Sequence, residues 1–166
     1  MQKRLLPLLT AIAISFGAAL PAVATTYTDR RGQVSFKIPS GWKNISRSAD
    51  YAYFVTADGS VGILVRSLPA SNLTSAVETA IGQAQQVIPD LKPTGGAKKI
   101  TINGLPATTQ LGTGTMKGVG SAAVNLVIVR TRPDSYLLFM STIDRSVFDQ
   151  GQEAVSYVIG SIRPKQ

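Results

Sequence analysis

The first twenty-four residues constrain this chain more than any other stretch of it. Residues 1–4 carry two positive charges, and an apolar run over residues 5–20 follows them. Ala22 and Ala24 then place small side chains three residues and one residue before a possible cleavage point. This order is typical of a secretory signal peptide. We therefore expect residues 1–24 to be removed on export.

The remaining chain has the size of one ordinary domain, because 142 of the 166 residues are left. We expect a single domain over residues 25–166. No later apolar run approaches the ~20 residues that a membrane-spanning helix needs, so we expect no span there. The chain contains no cysteine, and exported proteins without disulfides are typical of a bacterial envelope. These features indicate the bacterial periplasm.

The first half of the exported chain predicts strands joined by tight turns. Val34–Ile38 alternates apolar and polar residues, as a half-buried strand does. Apolar runs at 51–56 and 61–66 flank Asp58 and Gly59. An Asp-Gly pair between two such runs is a strong signal for a β-hairpin.

Two stretches change to the three- and four-residue spacing of amphipathic helices, over residues 73–88 and 147–162. Pro89 follows the first stretch and marks its end. Side chains that accept hydrogen bonds from the first turn precede both stretches. The candidate caps are Ser71 or Asn72 for the first helix and Asp144 or Ser146 for the second.

Strands also lie between these two helices. Residues 94–96 predict a loop, and Asn103-Gly104 predicts a tight turn after a strand at 98–101. The run at 122–131 is apolar on both faces, which is typical of a central strand covered on both sides. A turn then leads to its partner strand at 136–141. The order of hairpins and helices, joined by short turns, predicts an α+β fold in which helices flank a central antiparallel sheet.

The segment Gly112–Gly120 holds four glycines but lacks the Gly-Lys-Ser/Thr ending of a phosphate-binding loop. We predict a flexible hairpin loop there. Mobile loops on a rigid sheet often carry recognition, and two arginines follow in the next strand. The candidate interaction surface therefore comprises Gly114, Lys117, Gly118, Arg130 and Arg132.

The residue inventory excludes most catalytic chemistry. The chain has no histidine and no cysteine, which removes the commonest general base and the usual thiolate and zinc chemistry. Asp149 and Glu153 share a helix face, but no third metal ligand lies near them in the sequence. We expect neither an enzyme nor a bound cofactor or metal.

Charge and aromatic residues leave two further hypotheses open. Because Lys3 and Arg4 lie in the signal peptide, the exported chain keeps +6 of the formal net charge of +8. Such a charge favours anionic partners, and export makes nucleic acid a poor candidate among them. Tyr51 and Tyr53 share one strand face and form either a binding platform with Arg47 or Arg66 nearby, or ordinary core and edge packing.

One stretch resembles a known family. Phe36–Trp42, with its strand, proline and Gly-Trp, resembles the opening of PsbP-like and DcrB-like proteins. The Asn103–Ala107 turn and a C-terminal helix ending at Ser161–Arg163 fit the same plan. The resemblance implies an antiparallel sheet between helices. It also implies a largely non-enzymatic family, which includes extrinsic photosystem II subunits, exported bacterial proteins and a Ran-binding protein in yeast. Metal-related histidines of the photosynthetic members have no counterpart here.

From these observations we expect a non-catalytic exported accessory or binding protein that docks on an envelope protein complex. The alternative is a cationic binder of anionic lipid or polysaccharide surfaces.

Overall fold

The computed structural model describes residues 23–46 and 50–165. The predicted signal peptide lies outside the described residues apart from Val23 and Ala24, so its removal stays a prediction. Arg47, a candidate member of the aromatic platform, also lies outside them.

The described residues form ten strands, two α-helices and a short 3-10 turn at Arg145–Val147. In chain order the elements are β1 (Thr25–Asp29), β2 (Val34–Ile38), β3 (Lys43–Asn44), β4 (Tyr51–Val55), β5 (Val61–Leu68), α1 (Leu73–Val87), β6 (Lys92–Ile102), β7 (Leu105–Met116), β8 (Gly120–Arg132), β9 (Ser135–Asp144), α2 (Phe148–Gly160) and β10 (Arg163–Pro164).

Seven of the strands form one sheet in the order β3-β4-β5-β9-β8-β7-β6. All of its neighbouring strands run antiparallel, which confirms the predicted antiparallel sheet. A second sheet of three strands has the order β1-β2-β10. The sequence did not predict this small sheet, because β10 is two residues long and pairs with Ser35 and Val34, far away in the chain.

The two faces of the seven-stranded sheet are covered differently. Helix α1 packs on one face, mainly against β8 and β9. Helix α2 shares the other face with the three-stranded sheet. The predicted arrangement of helices on both faces therefore holds in part, since a small sheet covers much of the second face.

An aromatic cluster fills the core on the α2 face. Phe36, Phe54 and Phe139 are each at least 96% buried, and Phe36 contacts Phe139 edge to face with ring centroids 5.1 Å apart. Tyr27 closes the cluster from β1. Edge-to-face pairs add about 0.5–1.5 kcal/mol each beyond the burial of their area. This cluster ties the small sheet to the large one.

Strand β8 is buried on both faces, as its sequence predicts. Leu126 and Ile128 face α1, whereas Val127 and Val129 face the α2 side. It pairs along its length with β7 and β9. The centre of the sheet is therefore its most completely covered part.

Helix α1 begins at a capping box formed by Asn72 and Ser75, which confirms one of the two predicted caps. Its buried residues are Ala76, Ala80 and Ala84. Because alanine is small, this row lets the helix backbone lie close to the sheet. Val87, in the last turn of the helix, is 52% exposed.

The predicted loop at 112–120 is mostly strand. Residues 112–116 belong to β7 and pair with β8, and only residues 117–119 form the turn. Glycine is needed in this part of β7 because the chain after α1 crosses it closely. A Cβ atom on Gly114 would overlap the Cγ2 methyl of Ile88, and one on Gly112 would lie 3.0 Å from Leu91 Cδ1.

The predicted loop at 94–96 lies within β6, where the pairing with β7 shifts between Thr94 and Lys98. The Gln110 side chain holds this bulge closed, since its Nε2 donates to the carbonyl oxygens of Thr94 (3.3 Å) and Gly95 (3.2 Å). Glycine here accommodates a bulge rather than a loop. The Asn103-Gly104 turn is confirmed, with positive φ at both residues.

Helix α2 starts directly after the 3-10 turn. The Asp144 carboxylate accepts from the Ser146 backbone N–H at 2.8 Å and so caps that turn rather than α2 itself. Gly151, Val155 and Val158 are buried against the sheet. A Cβ on Gly151 would overlap a methyl of Ile143, so this glycine sets how close α2 lies to β9.

Candidate functional site

The structure separates the five residues predicted as one interaction surface. Gly114 pairs with Ala122 inside the sheet and packs against the chain after α1. Lys117 and Gly118 lie in the β7–β8 turn, where Gly118 has a φ of 84°. Arg130 and Arg132 lie at the other end of β8. At about 3.3 Å per strand residue, roughly 40 Å separates the turn from the arginines.

Arg130 lines a groove of about 510 Å³ beside the start of α1. Its Nε donates to the Pro133 carbonyl oxygen at 3.2 Å, which fixes the guanidinium near the β8–β9 turn. Lys99 of β6 lies in the same groove, and Pro106 and Leu73 give it an apolar part. The groove therefore combines two cations, the carboxylate of Asp134 and apolar walls.

Two carboxylates have lowered pKa values, and both have structural hydrogen bonds, one within a turn and one between the chain after α1 and β7. The Thr56 hydroxyl donates to Asp58 at 2.6 Å, and with the Ser60 backbone N–H and hydroxyl it lowers the pKa of Asp58 to about 2. The Thr115 backbone N–H and hydroxyl lower the pKa of Asp90. Each carboxylate stays ionised and accepts hydrogen bonds, which is the behaviour of a structural group rather than of a general acid.

Within residues 23–46 and 50–165, no three histidine, cysteine, aspartate or glutamate side chains lie close enough together to hold a metal ion. A further groove of about 480 Å³ lies between Trp42 and α2. Trp42 packs at the margin of the core on the α2 face rather than in its centre.

Strand β4 presents two contrasting faces. Ala52 and Phe54 are 5% and 4% exposed and point into the core on the α2 side. Tyr51, Tyr53 and Val55 alternate with them and are only half-buried on the α1 side. Because α1 packs mainly on β8 and β9, this part of the sheet face stays partly open.

We call this part of the sheet the tyrosine flank. Strand pairing brings its members together, since Lys43 lies opposite Val55, Tyr53 opposite Leu64 and Tyr51 opposite Arg66. The Ile45 backbone N–H donates to the Tyr53 carbonyl oxygen at 2.9 Å, which adds Ile45 to the same face. The flank comprises Lys43, Ile45, Tyr51, Tyr53, Val55, Leu64 and Arg66.

The flank is cationic and apolar. Strands β3, β4 and β5 contain no aspartate or glutamate. The half-buried Arg66 side chain makes no hydrogen bond or ion pair with another described residue, whereas Arg31 pairs with Asp50 at 3.3 Å. Burial raises the pKa of Tyr53, so its hydroxyl stays neutral.

Sequence reasoning found part of this surface. The alternation of Tyr51, Tyr53 and Val55 placed them on one face, and Arg66 was named as a possible neighbour. Core and edge packing was the competing interpretation. Phe54 is buried in the core, whereas Tyr51 and Tyr53 are half-buried, so edge packing stays open for the tyrosines. Lys43 and Ile45 were missed because β3 is two residues long and has no periodic signal.

Neither a protein-family model nor a curated protein sequence matches this chain. Solved structures do resemble it. The solution structure of cyanobacterial PsbP (CyanoP) from Synechocystis covers 94% of this chain and 98% of its own, with a TM-score of 0.62 and 14% identity. This chain has the PsbP-like fold.

Two further structures share that fold. PA94 of Pseudomonas aeruginosa, a protein of unknown function, gives a TM-score of 0.55 at 16% identity and covers 86% of this chain and 98% of its own. LpqN, involved in cell envelope biogenesis of Mycobacterium tuberculosis, gives 0.54 at 14% identity and covers 84% and 89%. In the described part of the chain, no helix is long and apolar enough to cross a membrane.

Proposed function

We propose that this protein is a non-catalytic, exported accessory protein that docks on a protein complex of the bacterial envelope. The tyrosine flank is the observation that carries this proposal. It leaves aromatic and aliphatic side chains partly exposed on a sheet face whose other half is covered by α1. Contiguous exposed apolar surface on a folded domain marks sites of interaction.

The PsbP-like fold supports the same proposal. LpqN shares it and is involved in cell envelope biogenesis, which makes an envelope role reasonable for this chain. The two ends of β8, with Lys117 and Gly118 at one and Arg130 and Arg132 at the other, are proposed as secondary contact regions.

Crosslinking in the cells that make the protein, at native expression, tests the docking role. We expect one envelope protein to be captured reproducibly at a fixed ratio to this chain. Capture of abundant bystanders alone would contradict the proposal. Sequencing the N-terminus of the exported protein tests the signal peptide, and we expect it to begin at Thr25.

The alternative, a cationic binder of anionic lipid or polysaccharide, has its own support in the structure. Lys99 and Arg130 share the groove beside α1, and Lys92 and Lys98 are exposed along β6. Such binding would depend on salt and be lost near ~0.5 M, where the screening length falls to a few ångströms. A titration against vesicles of anionic lipid, with zwitterionic vesicles as control, separates this alternative from docking.

A further inference from the structure

We propose that the tyrosine flank binds an acidic, partly apolar segment of the envelope protein, with Arg66 and Lys43 each pairing with a carboxylate of that segment. This inference rests on the proposed docking function and names the surface and the chemistry of the partner.

The first argument is the composition of the flank. Tyrosine and arginine are the residues, with tryptophan, that most often dominate binding energy at protein interfaces. Here Tyr51 and Tyr53 are half-buried with one side facing out, and Arg66 lies directly opposite Tyr51 in the strand pairing. Ile45 adds an aliphatic side chain that is 46% exposed.

The second argument is the state of Arg66. A half-buried guanidinium usually pairs with a carboxylate or donates to carbonyl oxygens, because leaving it unpaired away from water costs free energy. Among the described residues, the Arg66 side chain has neither kind of partner. Asp29 and Asp50 line the same pocket as Arg66, but neither carboxylate lies within ion-pair distance of its guanidinium, and Asp50 pairs with Arg31. A carboxylate of a partner molecule can therefore supply the missing pair.

The third argument is the spacing of the two cations. Arg66 pairs with Tyr51 and Lys43 with Val55, so the cations lie opposite the two ends of β4. Four residues of strand separate these positions, which is about 13 Å. An extended protein segment with carboxylates about four residues apart, and apolar residues between them, matches this pattern of cation, tyrosine and cation.

This pattern also favours a protein segment over the other occupants. Two copies of the chain joined flank to flank would bring like charges together, which opposes association. A lipid headgroup needs a cation but no fixed spacing between two of them. Lipid is therefore an outcome of the test rather than part of the proposal.

The test places a photoreactive amino acid, p-benzoylphenylalanine, at position 45 or at position 157 of the full chain in the producing cells. Ile45 and Tyr157 are both 46% exposed, but Tyr157 lies on α2, on the opposite side of the sheet. The crosslinked segment of the captured protein is then identified by mass spectrometry.

We expect capture from position 45 and little from position 157, with a captured segment that contains spaced carboxylates and apolar residues. Arg66→Glu and, separately, Lys43→Glu at an exposed position should each lower the yield about tenfold, as expected for a lost interfacial charge pair. Replacing the segment's carboxylates with lysine should restore the yield with Arg66→Glu. Circular dichroism of each variant checks that it folds. If Arg66→Glu does not fold, Lys43→Glu alone provides the charge-reversal test.

Several results would overturn the inference. They are equal capture from both positions, a basic or uncharged segment, lipid alone, or yields unchanged by both charge reversals. If general crosslinking captures an envelope protein but position 45 does not, docking stands and the flank is not its surface. If neither captures one, the proposed function fails as well.

Discussion

The two ends of the seven-stranded sheet, β3-β4-β5 and β6, both carry cationic side chains. The residues that surround these cations differ between the two ends. At one side, Arg66 and Lys43 border half-buried tyrosines on the tyrosine flank. At the other side, β6 is an edge strand that is exposed at every residue except Ile102. It carries Lys98 and Lys99 beside a bulge.

We infer from this difference that the same charge has two purposes in one fold. Lysine, proline and bulges on an edge strand prevent pairing with another chain, and β6 has all three, with Pro93 among them. Its cations are therefore explained by the fold alone. On the tyrosine flank, Lys43 lies on β3, the short strand at the other edge of the sheet, whereas Arg66 lies on the interior strand β5 and has no such structural explanation. The proposed partner would pair with Arg66.

The largest contrast is expected in stability. Phe54→Ala should lower the free energy of unfolding by about 3–5 kcal/mol, because it removes a buried ring from the aromatic cluster. Ile100→Ala on β6 should cost at most about 1 kcal/mol, since Ile100 is already 37% exposed. Urea unfolding measures both. Equal costs would show that β6 is as integral to the core as β4.

The second contrast is between two glycines, Gly114 in β7 and Gly82 in α1. Gly114→Ala should destabilise by about 1–3 kcal/mol, because its Cβ would overlap the buried, stiff side chain of Ile88. Gly82→Ala, in α1 with open space around it, should instead stabilise by about 0.5–1 kcal/mol. Thermal unfolding distinguishes them. A neutral Gly114→Ala would revive the interpretation of this segment as a loop.

The third contrast concerns association. Replacing both Lys98 and Lys99 with threonine should increase concentration-dependent self-association, because the exposed edge of β6 loses the charges that keep other strands away. The matched change Lys43→Thr should leave the sedimentation coefficient unchanged, because β3 is an edge strand of only two residues and offers little backbone for pairing. Sedimentation velocity over a range of concentrations measures this. Association of the Lys43→Thr variant alone would reverse the assignment of the two surfaces.

The smallest effect is expected in acid. The pKa of Asp58 is lowered from 3.8 to about 2, so its contribution is present above pH 4 and is lost as the pH falls towards 2. The pKa of Asp90 is lowered too. In an NMR titration, the amide signals of Ser60 and Thr115 should shift with midpoints below 3.8. Midpoints at 3.8 would mean that Asp58 and Asp90 do not accept the hydrogen bonds described above.

Much of the fold could be predicted from local pattern. Alternation identified β2, and an Asp58-Gly59 pair between two apolar runs identified β4 and β5. Two-sided apolar character identified β8, and Asn103-Gly104 identified its turn. Long-range packing could not be predicted in this way. Gly112 and Gly114 suggested a flexible loop in the sequence, because only the position of Ile88 and Leu91 explains why a strand needs glycine there.

The candidate site was predictable only in part for the same reason. Tyr51, Tyr53 and Arg66 were visible as a possible platform, but whether α1 would cover them depended on where the helix crosses the sheet. The predicted surface with Lys117 and Arg130 joined residues that are close in sequence order but lie at opposite ends of β8. The residue types suit an interaction surface, but the length of β8 keeps the two groups far apart.

The most direct measurement compares Arg66→Glu with Lys98→Glu in capture from position 45. Each variant reverses one charge, the first on the tyrosine flank and the second on the edge strand. The account predicts about a tenfold loss of the captured envelope protein with Arg66→Glu and an unchanged yield with Lys98→Glu. Equal losses in the two variants would show that net charge, rather than the flank, determines binding.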